Sequence, residues 1–216
     1  MCGWRWMSDA GKSSVTGPST ARATAQALGD GVGRDVRCRV EEPGIVQPGA
    51  GREFRDAARL ADAVAALSSA TRIDIFGVGA SAWVGQDLQQ KFHRIGLTAH
   101  SWSDAHSAWT SAALLNARSV SVALSHSGST LDTVEALRIA TEAGARTVAI
   151  TNHADSPLAR IADVVLTTAA RESPFRSGAL GSRMAQMMVI DCLFVGVAQQ
   201  SYGGPVTFRG TAEIRR

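Results

Sequence analysis

The sequence predicts an α/β domain, a parallel sheet covered on both faces by helices, running from about Phe54 to about Gln200. Three observations predict it. Short apolar runs of strand length alternate with segments whose apolar residues recur at helical spacing. Two of those runs end in small, polar turns, Gly77-Val78-Gly79-Ala80-Ser81 and Ser125-His126-Ser127-Gly128-Ser129-Thr130, the place where a parallel strand hands over to a helix. Parallel strands also need crossovers, and right-handed crossovers lay helices on both faces of the sheet.

Phe54, Ala57, Ala58, Leu60, Ala61, Val64 and Leu67 define a leading helix that breaks at Ser68-Ser69, and Arg72–Phe76 is the first strand. The next helix carries Val84, Leu88, Phe92 and Ile95 on one face and stops at Gly96, a left-handed cap. A second strand follows near Leu97 to Trp102, then a helical stretch with Trp109, Ala112, Ala113 and Leu115, then a third strand, Ser119–Leu124. Val134, Leu137, Ala140 and Ala143 face a helix closed by Gly144, and Arg146–Thr151 is the fourth strand. Ser156-Pro157 starts a short helix through Ile161, and Val164–Thr167 is the fifth strand. The series Leu180, Met184, Met187, Met188, Ile190, Phe194 and Val197 makes a long last helix, its methionine stripe expected in the core or at a subunit contact.

Residues 1–52 are rich in Gly, Ala, Ser, Thr and Arg without a sustained period, so a poorly ordered N-terminal extension is expected there, with residues 201–216 as a C-terminal tail. At 216 residues, 45% hydrophobic and 19% charged, the chain can bury a real core. The net charge of +3 is spread along the chain, without the long basic run that would point to nucleic acid. The three cysteines, Cys2, Cys38 and Cys192, are odd in number and far apart, so they form neither a disulfide framework nor a CxxC metal cluster. No signal peptide is read at the N-terminus, and no segment approaches the roughly 20 apolar residues of a membrane span. The expectation is a soluble, cytoplasmic protein.

In an open parallel sheet, ligands bind beyond the carboxyl ends of the strands, where helix N-termini present free N–H groups and partial positive charge. Both turns occupy that position. The second offers hydroxyls at Ser125, Ser127, Ser129 and Thr130, with Gly128 to let the backbone bend and come close to a ligand. Four hydroxyls in six residues exceed what one helix cap needs, and they suit a phosphate held without metal or other cofactor. His100, His106 and His153 lack the spacing of a metal site. Lys91 and His93 read as a solvated helix face. Gly77-Val78-Gly79-Ala80-Ser81-Ala82 also satisfies a permissive dinucleotide fingerprint, with Asp104 slightly late for the ribose-binding acid, so a nicotinamide-dependent enzyme is one alternative. Gly11-Lys12-Ser13 is rejected as a triphosphate loop, because Trp6 stands where that motif needs glycine.

These residues resemble the paired signatures of the SIS (sugar isomerase) domain. So do Gly144–Asn152, Ser156-Pro157-Leu158-Ala159 and Ala162–Leu166, while Glu172–Ala179 with Ser182-Arg183 is similar to the variant in RpiR-type transcriptional regulators. The resemblance implies a flavodoxin-like five-stranded sheet that binds phosphorylated sugars and assembles as a homodimer or homotetramer. It implies that Ser81 and Ser125, His126, Ser127 and Thr130 contact phosphate and sugar, and Gly79, Gly128 and Ser129 join the expected site from their place in the same two turns. His126 can then serve as a hydrogen-bonding side chain or stand as a solvated loop histidine. RpiR-type regulators carry an N-terminal helix-turn-helix ahead of this region, and residues 1–52 are too short and too poor in periodic apolar residues to build one. The expected function is therefore a sugar-phosphate sensor without a recognisable DNA-binding domain. The alternative within the superfamily is an aldose–ketose isomerase using Glu172 as base, against an ordinary role for Glu172 in an ion pair with Arg171, Arg176 or Arg183.

Overall fold

The computed structural model describes residues 57–170 and 179–202, together with two two-residue strands, Thr24–Ala25 and Cys38–Arg39, that pair antiparallel. Phe54, the remainder of the expected extension and residues 203–216 lie outside the described residues. Helix α1 (Ala57–Ser69) leads into β1 (Arg72–Phe76), α2 (Ala80–Arg94), β2 (Ala99–Trp102), α3 (Ala105–Ala112) and β3 (Ser119–Leu124). Then come α4 (Leu131–Glu142), β4 (Arg146–Thr151), α5 (Pro157–Ile161), β5 (Val164–Thr167) and α6 (Leu180–Tyr202). The five strands are all parallel, in the order β2-β1-β3-β4-β5, which is the flavodoxin-like order.

Helices α1, α2 and α6 cover one face and α3, α4 and α5 the other, so the sheet has a core on each side. On the first face α6 packs against both α1 and α2, and Leu60, Val64 and Leu67 of α1, Val84, Leu88 and Phe92 of α2 and Ile73 and Ile75 of β1 all belong to one core. Each such side chain, fully withdrawn from water, contributes about 1.5–3 kcal/mol. The other face is built from smaller residues, Ala108, Ala112, Ala136, Ala140 and Ala149, which let α3 and α4 lie close to the strands. Alternation puts Asp74 and Phe76 on this face and Ile73 and Ile75 on the first. β3, the middle strand, is buried along its whole length.

Gly96 and Gly144 end α2 and α4 as the sequence predicts, with φ of 83° and 85°. Beyond them Leu97 donates its N–H to the Phe92 carbonyl at 3.0 Å and Ala145 to that of Ala140 at 3.0 Å, the longer of the two bonds of a left-handed helix stop. Several positions on the predicted apolar faces are instead exposed, Ala57, Ala58 and Ala61 on α1 and Ala113 at the end of α3, while Trp109 and Met184, read as core or subunit contact, are exposed too, Met184 at 60%. The buried apolar face of α6 begins further along, with Val189, Ile190, Leu193, Val197 and Ala198. Lys91 is not simply solvated either, since it pairs with Asp87 on its own helix and with Asp191 of α6.

Two readings of the chain as a whole need correcting. Leu180–Ser201, of mean hydropathy 1.4, is by length and composition apolar enough to cross a membrane, although half of it is buried inside the domain. A helix packed against two other helices loses the wide polar face of a surface helix and so approaches that composition. Cys192 on this helix is 3% exposed and disulfide-bonded, a pairing that separation along the chain does not reveal.

The one buried carboxylate of the first strand, Asp74, is 0% exposed and is answered by a set of donors. Arg72 grips it with two bonds, Nε to Oδ1 at 2.8 Å and Nη2 to Oδ2 at 2.9 Å. Trp102 Nε1 donates to Oδ2 at 2.9 Å and Ser111 Oγ donates to it at 2.5 Å, tying β1, β2 and α3 together. The hydrogen bonds that Arg72 donates to Asp74 raise the arginine's pKa above its ordinary value, with partial burial opposing and the charge attraction adding. Arg72→Met leaves this carboxylate buried without its cation and is expected to destabilise the domain by about 3–5 kcal/mol in urea unfolding. The double variant Arg72→Met, Asp74→Leu is expected to recover part of that loss.

Candidate functional site

β1 and β3 are neighbours in the sheet, with Phe76 opposite Ala123, so the chain leaves both strands at the same level. From there α2 crosses to one face and α4 to the other, which makes this the topological switch point of the sheet. The two turns singled out in the sequence therefore stand side by side. A side chain at Gly77 would come within 3.3 Å of Leu124 Cβ and 3.1 Å of the Ser81 carbonyl oxygen.

The turn after β3 is held from within. Ser125 is 3% exposed, and its Oγ accepts the Gly128 N–H at 3.1 Å while sharing a hydrogen bond of 3.0 Å with Thr130 Oγ1. Ser127 Oγ accepts from Ser129 twice, from its N–H at 3.3 Å and its hydroxyl at 3.0 Å, and both of these serines are exposed. The four hydroxyls thus form an inner pair that shapes the loop and an outer pair that faces water. Thr130 is the N-cap of α4, yet its side chain does not cap the helix. The first turn of α4 consequently keeps the N–H groups and partial positive charge that favour an anion.

The loop is also held from outside, by the turn after β4. Asn152 N–H and Thr151 Oγ1 donate to the His126 carbonyl at 3.0 and 3.3 Å, and Leu158 N–H donates to the Gly128 carbonyl at 2.9 Å. Ser156, itself the N-cap of α5 through the Ala159 N–H at 3.3 Å, lies directly under Gly128. Gly128 has φ of 64°, and a Cβ there would fall 2.1 Å from Ser156 Oγ and 2.7 Å from Thr151 Oγ1. His126 is half-buried and meets His153 edge to face, with ring centroids 5.9 Å apart.

In the first turn Gly79 has φ of 60°, and a Cβ there would meet nothing within 4 Å, so the loop is open above α2. Gly79 is the N-cap of α2 and brings no side-chain cap, which leaves a second uncapped helix start beside that of α4. Ser81 does not stand alone. Its hydroxyl donates to Oε1 of Gln186 on α6 at 3.1 Å, a partner the sequence reading missed. Gln186 sits in a helix whose stripe reads as plain core, and nothing local marks it.

Glu172 falls within residues 171–178, outside the described residues. The chain leading to it is fixed by Asn152, whose Oδ1 accepts from Thr168 Oγ1 at 3.1 Å and from the Ala170 N–H at 2.8 Å. Asp104, the acid weighed for a dinucleotide ribose, is the N-cap of α3 through the Ser107 N–H at 2.9 Å. That bond holds its carboxyl below the usual range. Among the described residues no cluster of His, Cys, Asp or Glu could hold a metal ion.

A cavity of about 460 Å³ lies elsewhere, along the outer edge of the sheet between β2 and α3, and is lined by Arg72, Trp102 and Ser111 among others. Its cation is already neutralised by Asp74, whereas the turns at the switch point have uncapped helix N-termini and unspent hydroxyls. The turns are therefore the stronger candidate. Gly128→Ala is expected to cost about 2–5 kcal/mol, from left-handed backbone strain together with overpacking against Ser156. Chemical denaturation measures it, and retention of full stability would show that the loop can relax.

The SIS domain family model matches residues 66–196. An uncharacterised HTH-type transcriptional regulator of Caldanaerobacter subterraneus subsp. tengcongensis is 42% identical over 160 residues, which cover 74% of this chain and 57% of that protein. Among solved structures, the Vibrio vulnificus NanR protein complexed with ManNAc-6P has a TM-score of 0.63 at 32% identity, covering 67% of this chain and 55% of the other. The sugar isomerase domain of the RpiR transcription factor from Sphaerobacter thermophilus has a TM-score of 0.60 at 29% identity, covering 66% and 78%. The chain thus spans little more than half the length of the first two of these proteins.

Proposed function

Because the chain belongs to the SIS domain family, we propose that it is a cytoplasmic phosphosugar sensor of the RpiR-like regulator kind, which binds its ligand without transforming it. The phosphate sits on the turn Ser125–Thr130, with Ser127, Ser129 and Thr130 donating hydroxyls, Gly128 admitting the anion close to the backbone, and the start of α4 supplying amides. Gly79 and Ser81 close the site from the α2 side, and His126 borders it. The observation that carries this reading is the pairing of exposed hydroxyls with an uncapped helix N-terminus at the switch point of the sheet. Neutral donors of this kind hold a dianion by many short dipoles rather than by one cation. The NanR complex with a sugar phosphate, in a structure of the same fold, supports it.

We further propose that the sensor is a homodimer or homotetramer. Trp83, Leu131, Leu180 and Met184 are 64%, 82%, 53% and 60% exposed. They stand on the early turns of α2, α4 and α6, at the end of the molecule that holds the turns, and exposed apolar side chains gathered there favour self-association.

Binding to the native state alone raises apparent stability by mass action. Hexose 6-phosphates and pentose 5-phosphates, ManNAc-6P included, are expected to raise the unfolding temperature, and the same sugars without phosphate are not. The shift is expected to vanish in the double variant Ser127→Ala, Thr130→Ala; equal stabilisation by unphosphorylated sugars would refute the phosphate assignment. Turnover of any of these ligands, lost in Glu172→Gln, would replace the sensor with an isomerase. Sedimentation velocity is expected to show a dimer or tetramer that Trp83→Ser with Leu131→Glu drives toward monomer.

A further inference from the structure

Gln186 is a buried amide of which only the oxygen is hydrogen-bonded. It is 1% exposed, its Oε1 accepts the Ser81 hydroxyl proton at 3.1 Å, and its Nε2 has no hydrogen-bond partner. An unmatched buried N–H₂ is unfavourable, and native cores seldom keep one without reason. The position is specific as well, since Ser81 belongs to the open turn above α2.

A serine hydroxyl has one proton to give and two lone pairs to receive with. With its proton on Gln186, Ser81 turns only lone pairs toward the site, which repels an anion. A carboxamide is nearly symmetric in shape, so a half-turn about its last torsion exchanges oxygen and nitrogen within the same space. After that turn Nε2 donates to Ser81 Oγ and is no longer without an acceptor. The Ser81 proton is released at the same moment and can point at a phosphate or sugar oxygen. The amide oxygen takes over the unmatched place and the released Ser81 proton itself needs an acceptor, so the turned state is favoured when a phosphate or sugar oxygen is there to take that proton.

We infer that Gln186 is a positioning residue of this site: the orientation of its amide decides which way the Ser81 proton points, so that an occupied turn and an empty one leave α6 with different hydrogen bonds. This rests on the phosphosugar reading above. It also gives the binding event a route into α6, which packs against both α1 and α2 and is joined to α2 a second time by Asp191 and Lys91. α6 would thus be the element that registers occupancy, through an exchange of donor and acceptor rather than a change of fold.

The test is a double-substitution cycle with Ser81→Ala and Gln186→Met, read by calorimetric titration of the full chain with ManNAc-6P and the other sugar phosphates of the panel. If Gln186 acts through Ser81, each single substitution weakens binding by about tenfold or more, and the double variant is no weaker than the worse single. Losses that multiply in the double variant would overturn the inference while leaving the phosphosugar reading intact. Failure of the unsubstituted chain to bind any sugar phosphate would overturn both. A measurement on the unsubstituted protein guards against misfolding of Gln186→Met. Its ¹⁵N-labelled Gln186 side-chain amide is expected to shift and to exchange its protons more slowly at saturating sugar phosphate, and an unmoved resonance would overturn the inference.

Discussion

Right-handed crossovers on a parallel sheet force α2 and α4, which follow the adjacent strands β1 and β3, onto opposite faces. The two helices leave adjacent strands and then diverge, and protein leaves open space above Gly79. Every feature of the site is a consequence. Gly79 can have nothing above it because the neighbouring helix departs on the other side, and Thr130 can leave α4 uncapped because its side chain is held by Ser125 instead. The parallel register of Phe76 with Ala123 keeps the two loops level, and a slip of one residue would turn the side chains of one strand over to the wrong face.

Around this opening the structure is braced in layers. The turn after β4 holds the serine-rich loop by its backbone, through the carbonyls of His126 and Gly128, while the outer hydroxyls bond only within the loop. On the far side of β1, Asp74 locks the edge strand and α3 to the sheet with donors from three elements. The first arrangement fixes a loop without consuming its chemistry. The second consumes its chemistry entirely, because the guanidinium that lines the groove beside Asp74 is already neutralised.

α6 has an unusual place in this arrangement. It is packed closely against α1, where a side chain at Gly196 would come within 2.7 Å of Val64, and it reaches the site through Gln186. A helix so enclosed is apolar on several sides, and its composition alone resembles that of a membrane span. Its single buried amide is therefore conspicuous in the structure and invisible in the sequence.

The sequence by itself determined the order and type of the elements, because strand and helix periods are local and the punctuation by Gly96, Gly144 and Ser156-Pro157 is local too. It also located both turns, since small and hydroxylated residues at the end of an apolar run have few other uses. Only the tertiary structure decided which serines face water and which shape the loop, that Asp74 meets Arg72, Trp102 and Ser111, and that Ser81 meets Gln186. Those contacts join residues from 2 to 105 positions apart. Apart from Arg72, two residues from Asp74, such partners are brought together by packing across faces of the sheet, and periodicity along one chain carries no record of what lies opposite.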